Sequence, residues 1–143
     1  MREILFKAKR KDNGKWVEGN LITNERNENQ KYIGYIFDER NGVIEDFDLV
    51  EVIPDTLCQY TGLTDKNGEK IWENDIISVS AYSYYEPEDD YFGVVTYCEK
   101  DACWSLNNKE RYGEIICECF GSYTTEIINH GNIFDNPYLL EVE

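Results

Sequence analysis

The sequence predicts a mainly β protein with little helix. Three observations carry that expectation. Short runs rich in Ile, Val, Tyr, Phe and Trp recur along the chain, and several alternate apolar with polar residues as half-buried strands do. Between them stand Asn-Gly turn signals, at Asn13-Gly14, Asn41-Gly42 and Asn67-Gly68. No segment holds a helical apolar period for more than about two turns. Short strands joined by Gly and Asn turns suit a barrel or a sandwich.

The elements follow in order. Residues 3–10 alternate, with Ile4, Phe6 and Ala8 on one side and charges opposite, which predicts a half-buried strand. Residues 11–14 turn the chain, and 15–22 return with Trp16 and Val17 as core candidates. Residues 23–31 are polar and charged and read as an exposed loop. A Tyr- and Ile-rich strand at 31–37 precedes a turn over 38–42. Residues 43–53 continue as strand, with Phe47, Leu49, Val50 and Val52, until Pro54-Asp55 breaks it. Residues 13–22 loosely resemble 67–77, which fits either an internal duplication or two hairpins reusing one turn chemistry. Residues 91–97 form the clearest strand, and Gly93 inside it predicts a bulge or bend. After a turn at 98–101, Cys103-Trp104-Ser105-Leu106 pairs back. Residues 111–120 read as a long strand, with Ile115, Cys117 and Cys119 alternating on one side. Glu126-Ile127-Ile128 is a further strand, residues 131–137 make the last turn, and Tyr138-Leu139-Leu140 closes as an extended segment or short helix.

The most informative stretch is 61–77. Asp65 and Gly68 bracket Lys66-Asn67, as in a type I turn with a glycine bulge, although Asn67-Gly68 could also centre a type I′ hairpin. Ile71 and Trp72 form a short apolar arm, Glu73-Asn74-Asp75 a second turn, and Ile76-Ile77-Ser78-Val79 a buried strand. Asp65, Asn67 and Glu69 mimic a calcium loop, but an EF-hand needs Gly at the place of Lys70. This stretch resembles the YopX family, small proteins encoded by bacteriophages and prophages. The likeness rests on residues 2–8, on Tyr60-Thr61-Gly62-Leu63 with Asp65, Asn67-Gly68, Ile71 and Asp75-Ile76, and on Gly131-Asn132-Ile133-Phe134 with Asn136-Pro137. Asn74 stands where the family usually has Gly, and Asn tolerates the same left-handed turn geometry. The resemblance implies an SH3-like β-barrel, preceded here by an additional N-terminal β unit. It brings no established catalytic residue. The expected organisation is one domain over 1–143, with sub-lobes at 1–56 and 57–143.

Composition narrows the function classes. The 143 residues are 41% hydrophobic and 14% aromatic, enough for a real core. A formal net charge of −15 opposes direct binding to nucleic acid and to anionic membranes, and leaves a basic protein as a suitable partner. No apolar run is long enough for a membrane-spanning helix. A charged N-terminus and five cysteines without a secretion signal point to a reducing compartment, the cytoplasm of a bacterial host.

Candidate chemistries are weak. Cys98, Cys103, Cys117 and Cys119 raise the question of zinc, but their Cys-x₄-Cys and Cys-x-Cys spacings suit core packing better than a zinc knuckle. His130, the one histidine, lies at a turn without a nucleophile motif. Asp65, Glu73 and Asp75 could form an acid/base pair, yet turns use such residues for backbone hydrogen bonds. No catalytic residue, metal or cofactor is therefore assigned. The leading expectation is a non-enzymatic protein-binding module, with a rim of Tyr82, Tyr84, Tyr85, Glu86, Glu88, Asp89 and Asp90 in a loop over 81–90. The alternatives are an acidic decoy that imitates nucleic acid for a basic protein, and a hydrolase using the clustered carboxylates or His130. Self-association through an open sheet edge is expected as well.

Overall fold

The computed structural model describes residues 2–81, 89–100, 102–107, 115–116 and 124–141. The chain is mainly β and divides into two compact units, Met1–Tyr60 and Thr61–Glu143.

The first unit contains β1 (Phe6–Lys9), β2 (Trp16–Thr23), β3 (Lys31–Arg40), β4 (Val43–Val52), a 3₁₀ turn at Pro54–Thr56, and the start of β5 (Cys58–Thr64). Its strands are antiparallel in the order β4-β3-β2-β1-β5. The register pairs Ala8 with Val17, Leu21 with Ile33, and Ile33 with Val50. Alternation then gathers Ala8, Ile33 and Val52 into a core, with Phe6, Val17 and Leu57 packed against it. Ile33 is fully buried, which stabilises the fold by about 1.5–3 kcal/mol relative to exposure.

Three sequence expectations are adjusted here. Ile4 precedes β1 and is exposed, so the alternating apolar side begins at Phe6. Trp16 is only half-buried and lies beneath the ammonium groups of Lys7 and Lys9, 4.6 and 5.4 Å from its ring centre. Its register partner is Lys9, one step out of phase with the core residues Ala8 and Val17. The turn after β3 is tighter than the expected 38–42. Asn41 and Gly42, with φ of 53° and 78°, make a two-residue connection that sets Arg40 opposite Val43. Both φ values are positive, as a type I′ turn demands, so residues 38–40 stay in the strand.

The second unit continues β5 and adds β6 (Lys70–Trp72), β7 (Asp75–Ala81), β8 (Asp89–Cys98), β9 (Cys103–Asn107), β10 (Ile115–Ile116), β11 (Thr124–Asn132) and a 3₁₀ turn at Pro137–Leu140. Five strands form an antiparallel sheet in the order β10-β9-β8-β7-β11. Ile71, Ile77, Val79, Val95, Leu106 and Ile127 form its core, with Leu63 and Trp104 against them. Among the described residues neither sheet closes on itself, so the closed barrel implied by the family resemblance is replaced by two open antiparallel sheets. Of the long strand expected over 111–120, only 115–116 lie among the described residues.

The turns of the 61–77 stretch follow local chemistry. Asp65 accepts the Gly68 N–H on its carbonyl (3.0 Å), and its Oδ1 accepts the N–H groups of Asn67 and Glu69 (both 2.9 Å). Gly68 has φ 82°, matching the type I turn with a glycine bulge. Asn74 has φ 70°, the left-handed geometry that its family variation had to preserve. Gly93 makes no bulge in the β7–β8 ladder, where it pairs in register with Ile77. Its missing side chain leaves room for the backbone carbonyl of Asn107.

Candidate functional site

Both faces of the β3–β4 ribbon are apolar. Ile33, Val50 and Val52 are buried. The residues between them point the other way, because strand side chains alternate. The register sets Gly34 beside Leu49 and Asn20, Ile36 beside Phe47, and Ile22 beside Tyr32. Asn20, Ile22, Gly34, Ile36, Phe47 and Leu49, together with Ile44, line an open groove of about 330 Å³. The large apolar side chains in it are 43% (Ile22) to 66% (Phe47) exposed. Gly34 forms part of the floor, where an added Cβ would press on Ile22 Cδ1 at 3.0 Å. These apolar side chains are contiguous on one sheet face rather than scattered singly.

Carboxylates border the groove. Tyr35 Oη donates to Asp48 Oδ2 at 3.1 Å, and Asp48 Oδ1 accepts the Leu49 N–H at 2.9 Å. The bond to Asp48 holds the Tyr35 phenol above its ordinary pKa, helped by partial desolvation and by the carboxylate's charge. Glu45 and Asp46 are exposed on the same strand and make no ion pair among the described residues. Arg10, by contrast, donates from Nε and Nη2 to Asp12 at 3.0 and 2.9 Å, and Lys11 reaches Glu51 at 3.2 Å. The Arg10–Asp12 hydrogen bond raises the guanidinium pKa and lowers that of Asp12. The cations of that strand end are thus engaged locally.

Of the rim expected at 81–90, Tyr82, Tyr84, Tyr85, Glu86 and Glu88 lie outside the described residues. Asp89 and Asp90 belong to β8, where their backbones pair with Ala81 and Ser80. The other candidates from the sequence have structural work. Asp75 is 2% exposed and accepts from the Trp72 N–H and from Asn129 Nδ2, each at 2.8 Å. Asp65 organises its own turn. Cys98 and Cys103 face one another in register across β8 and β9 as free thiols, and Cys117 and Cys119 lie outside the described residues. Among the described residues no group of three or more His, Cys, Asp or Glu is placed to hold a metal ion.

His130 does acquire a neighbour that the sequence did not announce. Its Nε2 lies 2.9 Å from Ser78 Oγ, and its ring tilts against Phe92 at 5.8 Å. The ladder irregularity between Asn129 and Gly131 delivers it there. A hydroxyl beside an imidazole is the start of a nucleophile–base pair. Among the described residues, however, no carboxylate orients the second ring nitrogen, and His130 is exposed. A cross-strand polar pair accounts for this geometry.

The groove residues were missed because Phe47 and Leu49 read simply as strand residues. The available signal was the adjacent pair Leu49-Val50, which places one large apolar side chain on each face.

The fold and groove define a mainly β protein with an exposed apolar groove on the face of strands β2, β3 and β4. The family model described as YopX protein matches residues 5–141, and the chain belongs to this family. Among solved structures it is similar to the crystal structure of protein EF1440 from Enterococcus faecalis, at 21% identity and a TM-score of 0.56, covering 99% of this chain and 100% of that one. That likeness concerns the fold. None of the curated proteins matches the sequence.

Proposed function

We propose that this YopX-family chain is a non-enzymatic phage or prophage accessory protein that acts in the cytoplasm of a bacterial host by binding another protein. The observation that carries the proposal is the apolar groove of Ile22, Ile36, Ile44, Phe47 and Leu49. Its volume of about 330 Å³ falls at the lower end of the range of pockets that hold small ligands, but it is an open sheet face, which suits a peptide segment or protein surface better. No helix among the described residues is long and apolar enough to cross a membrane. The SH3-like path implied for the second unit by family resemblance belongs to the same reading, with the binding face moved to the first unit.

The test compares tagged wild-type protein, Phe47→Ser and a Tyr82/Tyr84/Tyr85→Ser variant in host lysate at low and high salt, read by mass spectrometry. A partner retained by the tyrosine variant and lost by Phe47→Ser supports the groove. A partner lost only by the tyrosine variant moves the site to the 82–90 segment. A basic DNA-binding protein released by salt from all three would favour the acidic decoy instead.

A further inference from the structure

We infer that β4 accepts an extended, basic and amphipathic strand from its partner, added along the edge beside the groove. This rests on the binding-module reading and specifies its occupant. β4 stands at the end of its sheet order, so among the described residues one side of the strand has no neighbouring strand along its length. Among the described residues, backbone contacts on that side are made by its last residues and by Ile53. Arg10 bridges to Val52, the Lys11 N–H donates to the Glu51 carbonyl at 3.0 Å, and the Ile53 N–H donates to the Lys9 carbonyl at 2.8 Å. These bonds fix the direction of the backbone. Since the Glu51 carbonyl points to this edge, the two-residue period directs the backbone groups of Leu49 and Phe47 there too. Among the described residues no strand pairs with them on that side. The Leu49 N–H is occupied by the Asp48 side chain, as edge strands are often guarded.

The same two residues therefore present backbone to the edge and side chain to the groove. An incoming strand would form ladder bonds with the Phe47 backbone and the Leu49 carbonyl, the Leu49 N–H being held by Asp48, and place alternate apolar side chains beside Phe47 and Leu49, the arrangement of strand-addition recognition. Charge selects the occupant. Glu45, Asp46 and Asp48 crowd this length of β4, and the chain carries −15 overall. A second copy paired antiparallel about Phe47 would set Asp46 opposite Asp48 of the copy, and directly opposed like charges destabilise a sheet. A strand alternating Lys or Arg with β-branched residues meets both the carboxylates and the groove.

The experiment uses the full chain and three labelled peptides of about eight residues, a typical strand length. They alternate Val with Lys, with Ser or with Glu, and binding is read by fluorescence anisotropy, with chain mass followed by light scattering. The expected result is binding of the Lys-Val peptide, weakened about tenfold or more by Phe47→Ser, which leaves the charge unchanged, and likewise by Glu45→Gln/Asp46→Asn. Equal binding of the Ser-Val peptide would overturn the basic occupant while keeping the groove as a binding site. Lys-Val binding untouched by Phe47→Ser would overturn strand addition in favour of diffuse charge attraction. Failure of all three peptides, with self-association appearing once Glu45 and Asp46 are neutralised, would make the carboxylates guards of the edge and overturn the proposal. The lysate comparison for the groove could still succeed in that case.

Discussion

Asp75 shows how a residue that looks catalytic becomes structural. Its carboxylate is buried and accepts the Trp72 N–H and Asn129 Nδ2. That closes the Glu73–Asn74 turn, whose Asn74 N–H donates to the Val95 carbonyl at 2.8 Å. Asp75→Ala should destabilise the protein by about 2–3 kcal/mol, because the Trp72 N–H and the Asn129 amide lose their acceptor at a buried position. Urea denaturation checks this, and a loss no larger than that of an exposed substitution would remove Asp75 from the structural account. Tyr35 gives a pH prediction. A phenol whose folded pKa is raised contributes stability that is complete below its unfolded value near pH 10 and is lost as pH rises through the folded value. Tyr35 should therefore titrate above the ordinary phenol value in an NMR titration, and Asp48→Asn should lower it toward that value.

At the scale of the element, the β3–β4 hairpin and β8 depend on glycine for different reasons. Gly42 holds φ 78° in the two-residue turn, so Gly42→Ala should cost about 1 kcal/mol and loosen the register of the ribbon. Gly93 has ordinary strand pairing, but a Cβ there would collide with the Asn107 backbone carbonyl. Gly93→Ala should destabilise by about 1–3 kcal/mol, as overpacking does, with the Val94–Asn107 pairing losing hydrogen-exchange protection first. The elements themselves were largely legible, since turn residues and β-branched runs act locally. The close approach at Gly93 was not, because Asn107 comes from another strand. The length of β3 was misjudged for a related reason: charged residues 38–40 resemble a turn until the Asn41-Gly42 geometry confines it to two residues.

For the whole molecule, charge and apolar surface make separate predictions. With a pI near 4.4, the protein should be least soluble around that pH, where repulsion between copies vanishes; turbidity against pH reads this directly. Phe47→Ser should change unfolding free energy by no more than about 0.5 kcal/mol, because its side chain is exposed. Ile33→Ala should cost about 2–5 kcal/mol, because that side chain is fully buried in the first unit's core. Equal losses in the two variants would mean that Phe47 is a packing residue, and the groove would no longer be a binding surface.

The sequence by itself determined the β class, the turns at Gly14, Gly42 and Gly68, the left-handed Asn74, and the family. Each follows from residues a few positions apart, where backbone sterics and local hydrogen bonds decide the outcome. Only the tertiary structure decided which apolar face of β4 is covered. Leu49 and Val50 are equally hydrophobic in sequence; pairing with Ile33 buries Val50, while Leu49 beside Gly34 stays open. Only the tertiary structure likewise brought Ser78 to His130 and drew Asp75 into a buried clamp. Those contacts join residues about fifty positions apart, and no local periodicity encodes them.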